Sequence, residues 1–477
     1  MRLRTVVVAA VLLVTSCASS DDPIVQSPAS TTAPTTSTTA PATSTTTTTV
    51  VPPVAAMAAT ATCPAVPARR APDPNRPRYR LQVDVRLSDN VVDGRLSVDF
   101  TPDAPTDRLV FRLWPNGPRL QAAGARLDVG PVSLDGAPPR HGDVPDLTTL
   151  VVRLDRTLLP GRTVTASLPW RLTLPGPASD RIARIGDTVR LASFFPILAW
   201  EPGTGWGVQP PTSNFAEASV SPTADFDVQV STPPGLQVLA TGVPRDGGRW
   251  EARAVRDFGL SVGRFRLAEG QSGGVKVTVG VEAGLADDPT GYLRTVVRAL
   301  DDFSGRFGPY PWSTFTLAIT PRLSGGIEYP THVLQGPGTQ GRTTPHEVGH
   351  QWFYALVGND QGRDPWLDEG LATWAEARFL GNLAEFRSRP MPADAAGRSG
   401  APMTYWNGRS SYYRGVYVQG AQALAALGDA ALVDCALRHY VARHAFRVAQ
   451  TKDLVTSLEV VFPDARATLA RFGAVPR

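Results

Sequence analysis

Thr344-Pro345-His346-Glu347-Val348-Gly349-His350-Gln351-Trp352-Phe353 is the stretch on which the reading of this chain turns. His346 and His350 stand four apart, so on a helix both imidazoles leave the same face, one turn above the other. That arrangement offers two nitrogen donors to one zinc ion. Glu347 sits between them, where a carboxylate can take a proton from a water that the metal acidifies. The chain has only six histidines, and a chance occurrence of this pattern has odds of roughly one or two in a thousand. A third ligand follows. Eighteen residues separate His350 from Glu369, which lies in Trp366-Leu367-Asp368-Glu369-Gly370. That interval lets the first helix end, a loop over 358–365 form, and a second helix from near Trp366 return Glu369 to the metal. Two imidazoles and one carboxylate leave a fourth position open, the pattern of a catalytic rather than a structural zinc, one ion per chain.

Thr344 and Pro345 read as the N-cap and first residue of the zinc helix, whose positive end would then lie near the metal. Thr344 and Glu347 also match a capping box, the structural alternative for that glutamate.

His346-Glu347-Val348-Gly349-His350-Gln351-Trp352 together with Trp366-Leu367-Asp368-Glu369-Gly370-Leu371-Ala372 resembles the aminopeptidase N family of gluzincin metallopeptidases. Gly325-Gly326-Ile327-Glu328-Tyr329 is similar to that family's exopeptidase signature, and Tyr417-Val418-Gln419-Gly420-Ala421 to its tyrosine segment. The resemblance spans 78 to the C-terminus and is strongest in the catalytic half. It implies a thermolysin-like α+β domain that hydrolyses peptide bonds and removes N-terminal residues from extracellular peptides. Glu347 would be the general base and Tyr417 would steady the oxyanion. Gly325 and Gly326 would lie on the substrate's edge strand, and Glu328 would receive its α-ammonium. Tyr412 and Tyr413 compete with Tyr417, which could also be a packed helical tyrosine; Glu328 could be an ordinary strand-end acid. Glu376, two turns beyond Glu369, could orient a ligand histidine. Tyr329 stands where the family's aminopeptidases usually carry Asn, and the family's long C-terminal helical repeat is not seen. A related zinc hydrolase of different selectivity, an endopeptidase or otherwise, with a more open site that admits longer peptides, is therefore a second reading. A non-catalytic surface lipoprotein is a third, opposed by the intact ligand set.

The chain begins with Arg2 and Arg4 before an apolar run over 5–14, too short to span a bilayer and shaped like a signal peptide. It ends at Val14-Thr15-Ser16-Cys17, which resembles the bacterial lipobox, so Cys17 is the expected lipidation site and 1–17 the lipoprotein signal. A lone buried or reactive cysteine is the alternative. Residues 18–74 are read as a Ser/Thr/Pro-rich stalk, too poor in large apolar side chains to offset the entropy of ordering. The expected location is the outer face of the cell membrane, held by the lipid. Cys63 and Cys435 remain, and an exported protein permits their pairing, although sequence leaves their separation open.

From 75 to 266 the pattern has period two, clearest in Tyr79-Arg80-Leu81-Gln82-Val83-Asp84-Val85. This predicts an antiparallel β-sandwich with one wet face per strand. By the resemblance such a domain can lend an acid or amide to the substrate amine; Glu201 and Glu217 are the glutamates on hand, in no matching motif. Residues 267–477 form the expected catalytic domain: strands at 275–281 and 315–319, a helix over 290–307, an extended stretch over 324–334, and short helices at 421–427, 432–444 and 454–461. His439 and His444, five apart, share no helical face, and His332 and His141 read as neighbours or exposed residues, not ligands. The formal charge of +4 is almost all dispersed arginine, with Lys276 and Lys452 the only lysines. No basic patch of the kind nucleic acid needs is present in the sequence.

Overall fold

The computed structural model describes residues 63–213 and 221–475. The lipobox, Cys17, most of the stalk and Glu217 lie outside the described residues. Among those described, no single helix is long and apolar enough to cross a membrane.

Alternation builds the first half. Strand β1 (Arg78–Arg86) buries Tyr79, Leu81, Val83 and Val85 and turns the residues between them outward. It pairs antiparallel with β2 (Val91–Phe100), which pairs in turn with β3 (Val164–Thr173). On its other edge β1 meets β4 (Ala224–Ser231), followed by β5 (Arg249–Val255). The β1–β4 pairing is parallel, a departure from the fully antiparallel expectation. Parallel neighbours require a long crossover, and here well over a hundred residues intervene, a connection that periodicity cannot reveal. Two four-stranded sheets, one containing Thr106–Arg112 and Thr149–Leu158, the other Thr188–Leu191 and Leu260–Gly263, share the core of the large sheet. The result is a sandwich, filled by stacked rings such as Tyr79 on Phe226 at 4.5 Å.

The second half opens on a five-stranded mixed sheet. Strands β6 (Phe265–Ser272), β7 (Val275–Glu282), β8 (Thr314–Ile319), β9 (Gly326–Tyr329) and β10 (His332–Gln335) lie in the order β6-β7-β8-β10-β9. The stretch predicted as one extended segment is thus a hairpin, because Thr331 turns the chain at φ 59°. That turn makes β9 the sheet edge. Helix α1 (Pro289–Phe307), capped by the Asp288 carboxylate on the Thr290 and Gly291 amides, covers the sheet with Tyr292, Val296, Leu300, Phe303 and Phe307. Helices α2 (Thr343–Gly349), α3 (Trp366–Leu380), α4 (Gln419–Ala425), α5 (Ala430–His444), α6 (Thr451–Glu459) and α7 (Ala465–Arg471) follow, with two short helical segments at Leu383–Ser388 and Met403–Trp406 between α3 and α4. Helix α7 was not expected from the sequence.

The two halves are clamped together. Arg190 spans them, donating to Ala178 O (2.5 Å) and Asp180 O (3.2 Å) on one side and to Pro321 O (2.6 Å) on the other. Arg256 similarly reaches Ser221 O, Ala355 O and Arg447 O. Burial pulls both guanidinium groups down to about 10. Residues 63–74, assigned by composition to the stalk, are instead laid along the catalytic half. A disulfide joins Cys63 to Cys435, the Arg70 amide donates to Ala442 O at 2.9 Å, and Arg447 pairs with Asp73. His439 is buried against this segment, its Nε2 3.2 Å from Pro64 O.

Candidate active site

Helix α2 is only seven residues long and begins at Thr343, one residue before the expected cap. Thr344 does not cap it: its hydroxyl exchanges hydrogen bonds with the Gln335 side chain, so no capping box engages Glu347. Glu347 is therefore left to the site. His346 lies within α2 and His350 closes it, still with helical dihedrals (φ −61°, ψ −14°), so the four-residue spacing keeps both rings on one face. Helix α3 returns Glu369 to them from its first turn.

The three donors form a nearly equilateral triangle. His346 Nε2 is 3.1 Å from His350 Nε2 and 3.2 Å from Glu369 Oε2, and His350 Nε2 is 3.3 Å from Glu369 Oε2. Tetrahedral donors about 2.0–2.1 Å from a zinc ion stand about 3.3 Å from one another. The triangle therefore fits one zinc ion, and these three residues group as a metal site. The electrostatics agree with a missing positive charge. Burial opposes protonation of His346, yet Glu369 and Glu376 outweigh it and push the imidazole up to about 9. His350 is likewise raised, with Asp368 overcoming burial. Burial would lift the Glu369 carboxyl, but hydrogen bonds from both histidines pull it down to about 2. A divalent cation would stand where those extra protons do.

Each ligand is braced from behind. His346 Nδ1 is 3.3 Å from Glu376 Oε2, and Arg342 fixes Glu376 from the far side at 2.7 Å. His350 Nδ1 lies 2.7 Å from Asp368 Oδ1 and 3.2 Å from Phe353 O. Carboxylates behind ligand imidazoles set the tautomer and strengthen the donor. The sequence pointed to Glu376 but not to Asp368 or Arg342.

Glu347 is 4 % exposed, and burial lifts its carboxyl to about 8 against the pull of the two histidines. It packs directly on Gly326: a Cβ there would lie 2.3 Å from Glu347 Cδ. That contact is why the edge strand carries glycine at this point. Gly325 contributes its carbonyl, which accepts from the Gly336 amide at 2.8 Å. Gln351 ties the end of α2 to the hairpin, donating to Tyr329 O and accepting from the Thr331 amide. Edge strand and metal donors are thereby held in one frame. Glu328, on that strand, accepts from Gln361 Nε2 at 3.2 Å. The Tyr329 ring turns away into a buried cluster with Ser193 and Arg181 of the sandwich domain.

Tyr417 sits in a π-helical turn, Tyr413–Val418, a local geometry common at functional sites. Its ring stacks on His346 at 5.7 Å, and its hydroxyl donates to Glu369 Oε1 at 2.5 Å. Of its rivals, Tyr413 bonds to Arg342, and Tyr412 packs edge-on against Tyr417. Gly420 makes this possible, because a Cβ on it would be 2.8 Å from Gly370 Cα, where α4 crosses α3. Glu201 does not reach Glu328; it is buried in a pair with Arg363 at 3.0 Å. His332 and His439 are buried away from the donors, and His141 is exposed.

Comparison with known proteins bears on the same region. Residues 339–469 match the Peptidase family M1 domain. The chain is 28 % identical to a leukotriene A-4 hydrolase of Xenopus laevis over 184 residues, covering 33 % of this chain and 30 % of that protein. It is 36 % identical to aminopeptidase B of Rattus norvegicus over 81 residues, covering 15 % of this chain and 12 % of that protein. The chain thus spans under a third of the length of these curated relatives. A solved M1 zinc metallopeptidase from Deinococcus radiodurans superposes with a TM-score of 0.62 at 22 % identity, over 86 % of this chain and 96 % of that one. A form of that protein bound to a Tyr-Ser-Ala substrate gives 0.61 at 23 % identity, over 84 % and 95 %. At such identity the likeness speaks to the two-domain fold.

Proposed function

We propose, from a chain whose residues 339–469 match the peptidase family M1 domain, that this protein is a zinc metallopeptidase that removes N-terminal residues from peptides outside the cell. The observation that carries this reading is the donor triangle of His346, His350 and Glu369 with Glu347 against it and Glu328 on the neighbouring edge strand. When bound, zinc supplies a Lewis acid that acidifies water and polarises the scissile carbonyl. Glu347 accepts the proton of the attacking water and hands it to the leaving amine. The Tyr417 hydroxyl, already aimed at the ligand cluster, donates to the oxygen that gains charge as the carbonyl becomes tetrahedral. The unpaired edge of β9 receives the peptide backbone as an added strand. Glu328 accepts from the free α-ammonium, which sets the cut at the first residue.

Support for an outward address is separate. Val14-Thr15-Ser16-Cys17 has the form of a lipid-attachment site, so Cys17 is the proposed anchor on the outer face of the membrane. A Cys63–Cys435 disulfide is at home in an oxidising compartment. Selectivity is tested with paired chromogenic substrates, leucine p-nitroanilide and its N-acetylated counterpart. The expected result is hydrolysis of the free amine alone, abolished by Glu328→Ala. Cleavage of blocked peptides only would instead make the enzyme an endopeptidase.

A further inference from the structure

The loop over 358–365 between the two ligand-bearing helices carries a side chain that lies outside the metal motif. Gln361 is only 2 % exposed. Its amide nitrogen donates to Glu328 Oε1 at 3.2 Å and, through a shorter contact, to Asp368 Oδ2. A carboxylate only accepts, so with acids on two sides the amide nitrogen, not its oxygen, must point between them. Asp368 in turn lies 2.7 Å from His350 Nδ1 through its other oxygen. One chain of contacts therefore runs from the edge strand to a metal donor: Glu328, Gln361, Asp368, His350.

The loop is held by the other domain on both sides of Gln361. Gln209 donates to Asp360 at 2.6 Å, and Arg363 pairs with Glu201 at 3.0 Å. Arg363 also reaches Asp364 at 3.0 Å, and Gln450 adds a second donor to Glu201. Glu201 thus stands two steps from the site, fixing the loop and not the substrate.

We propose that Gln361 is a positioning residue whose single amide nitrogen aims Glu328 at the substrate's α-ammonium and seats Asp368 behind His350, so that amine recognition and metal retention depend on one side chain. The amine half of this statement rests on the aminopeptidase reading above; the metal half does not. Without the amide, two carboxylates would face each other with no donor between them and would separate. Glu328 would swing from its aim, and His350 would lose the acid that orients it.

Gln361→Met keeps length and bulk while removing both N–H groups. Two quantities are read: the zinc Kd of the chelator-stripped protein, titrated against a chromophoric chelator, and kcat and KM for leucine p-nitroanilide at saturating zinc. The zinc Kd is expected to rise about 10-fold, the lower end for losing support behind a ligand. KM is expected to rise by a similar factor of about 10, with kcat changed by less than about threefold, the split that marks lost ground-state binding. Zinc Kd and KM both within about twofold of the parent in a folded variant overturn the proposal. A raised zinc Kd, in a protein whose parent hydrolyses no free-amine substrate, upholds the metal half and removes the amine half together with the aminopeptidase reading. Should Gln361→Met not fold, Glu201→Gln loosens the loop from outside the site. It is then expected to raise the zinc Kd by about threefold, and an unchanged Kd overturns the proposal.

Discussion

At the scale of single residues, the site separates holding a metal from moving a proton. His346, His350 and Glu369 make the triangle, while Glu347 belongs to none of its edges and packs on Gly326. Glu347→Gln keeps the shape and removes the proposed base. It is expected to retain its zinc by elemental analysis while kcat falls about 10³-fold, within the range for a lost general base. What the sequence made legible at this scale follows from covalent spacing. Two histidines four apart must share a helical face, so the ligands could be named in advance. Gln361, Asp368 and Arg342 could not, since their roles arise from hydrogen bonds between elements that only the fold brings together. Glu201 shows the same limit: the sequence left it open as a partner for the substrate amine, and in the fold it pairs with Arg363.

At the scale of elements, the geometry depends on how closely helices and strands approach. Helix α4 crosses α3 at Gly420 and Gly370, and that crossing brings Tyr417 to Glu369. Gly420→Ala puts a methyl 2.8 Å from a backbone carbon, so the helices must part. Such overpacking is expected to cost about 1–3 kcal/mol in urea unfolding. Because Tyr417 is displaced with the helix, kcat should fall while the zinc content holds. Unchanged stability would show that the crossing has slack. The sequence reading reached α1 almost to the residue because it carries a strong apolar stripe, whereas for α3 it placed only the start near Trp366, from the spacing of the third ligand. It treated 324–334 as one strand, for a hairpin turning at Thr331 has no Gly or Asn to announce it. Its β-sandwich was legible from alternation, but alternation is blind to direction, and the parallel β1–β4 pair escaped it.

At the scale of the whole molecule, the two halves behave as one body because polar side chains are buried between them. Arg190 and Arg256 end on backbone carbonyls from both sides. His332 lies at the same seam, bonded to Thr316 at 2.7 Å and to Ser261 of the sandwich at 3.2 Å, one ring nitrogen donating and the other accepting. Burial lowers its pKa to about 3. Unfolding restores a value near 6.5, so between those limits the unfolded chain binds more protons and stability falls as pH drops. The contribution lost is up to about 4 kcal/mol between pH 6.5 and 3. His332→Asn should flatten the slope of unfolding free energy against pH over that window, and an unaltered slope would assign the acid sensitivity elsewhere.

All three scales bear on one proposal, that a single zinc ion held by His346, His350 and Glu369 makes this chain a peptidase. The direct measurement is metal content and leucine p-nitroanilide hydrolysis, followed on the same sample through chelator dialysis and zinc return, with Glu369→Gln alongside. The account predicts one zinc per chain, activity that leaves and returns with it, and a folded Glu369→Gln variant deficient in both. Hydrolysis that survives complete loss of metal, or a parent protein that binds no more zinc than Glu369→Gln, would contradict it.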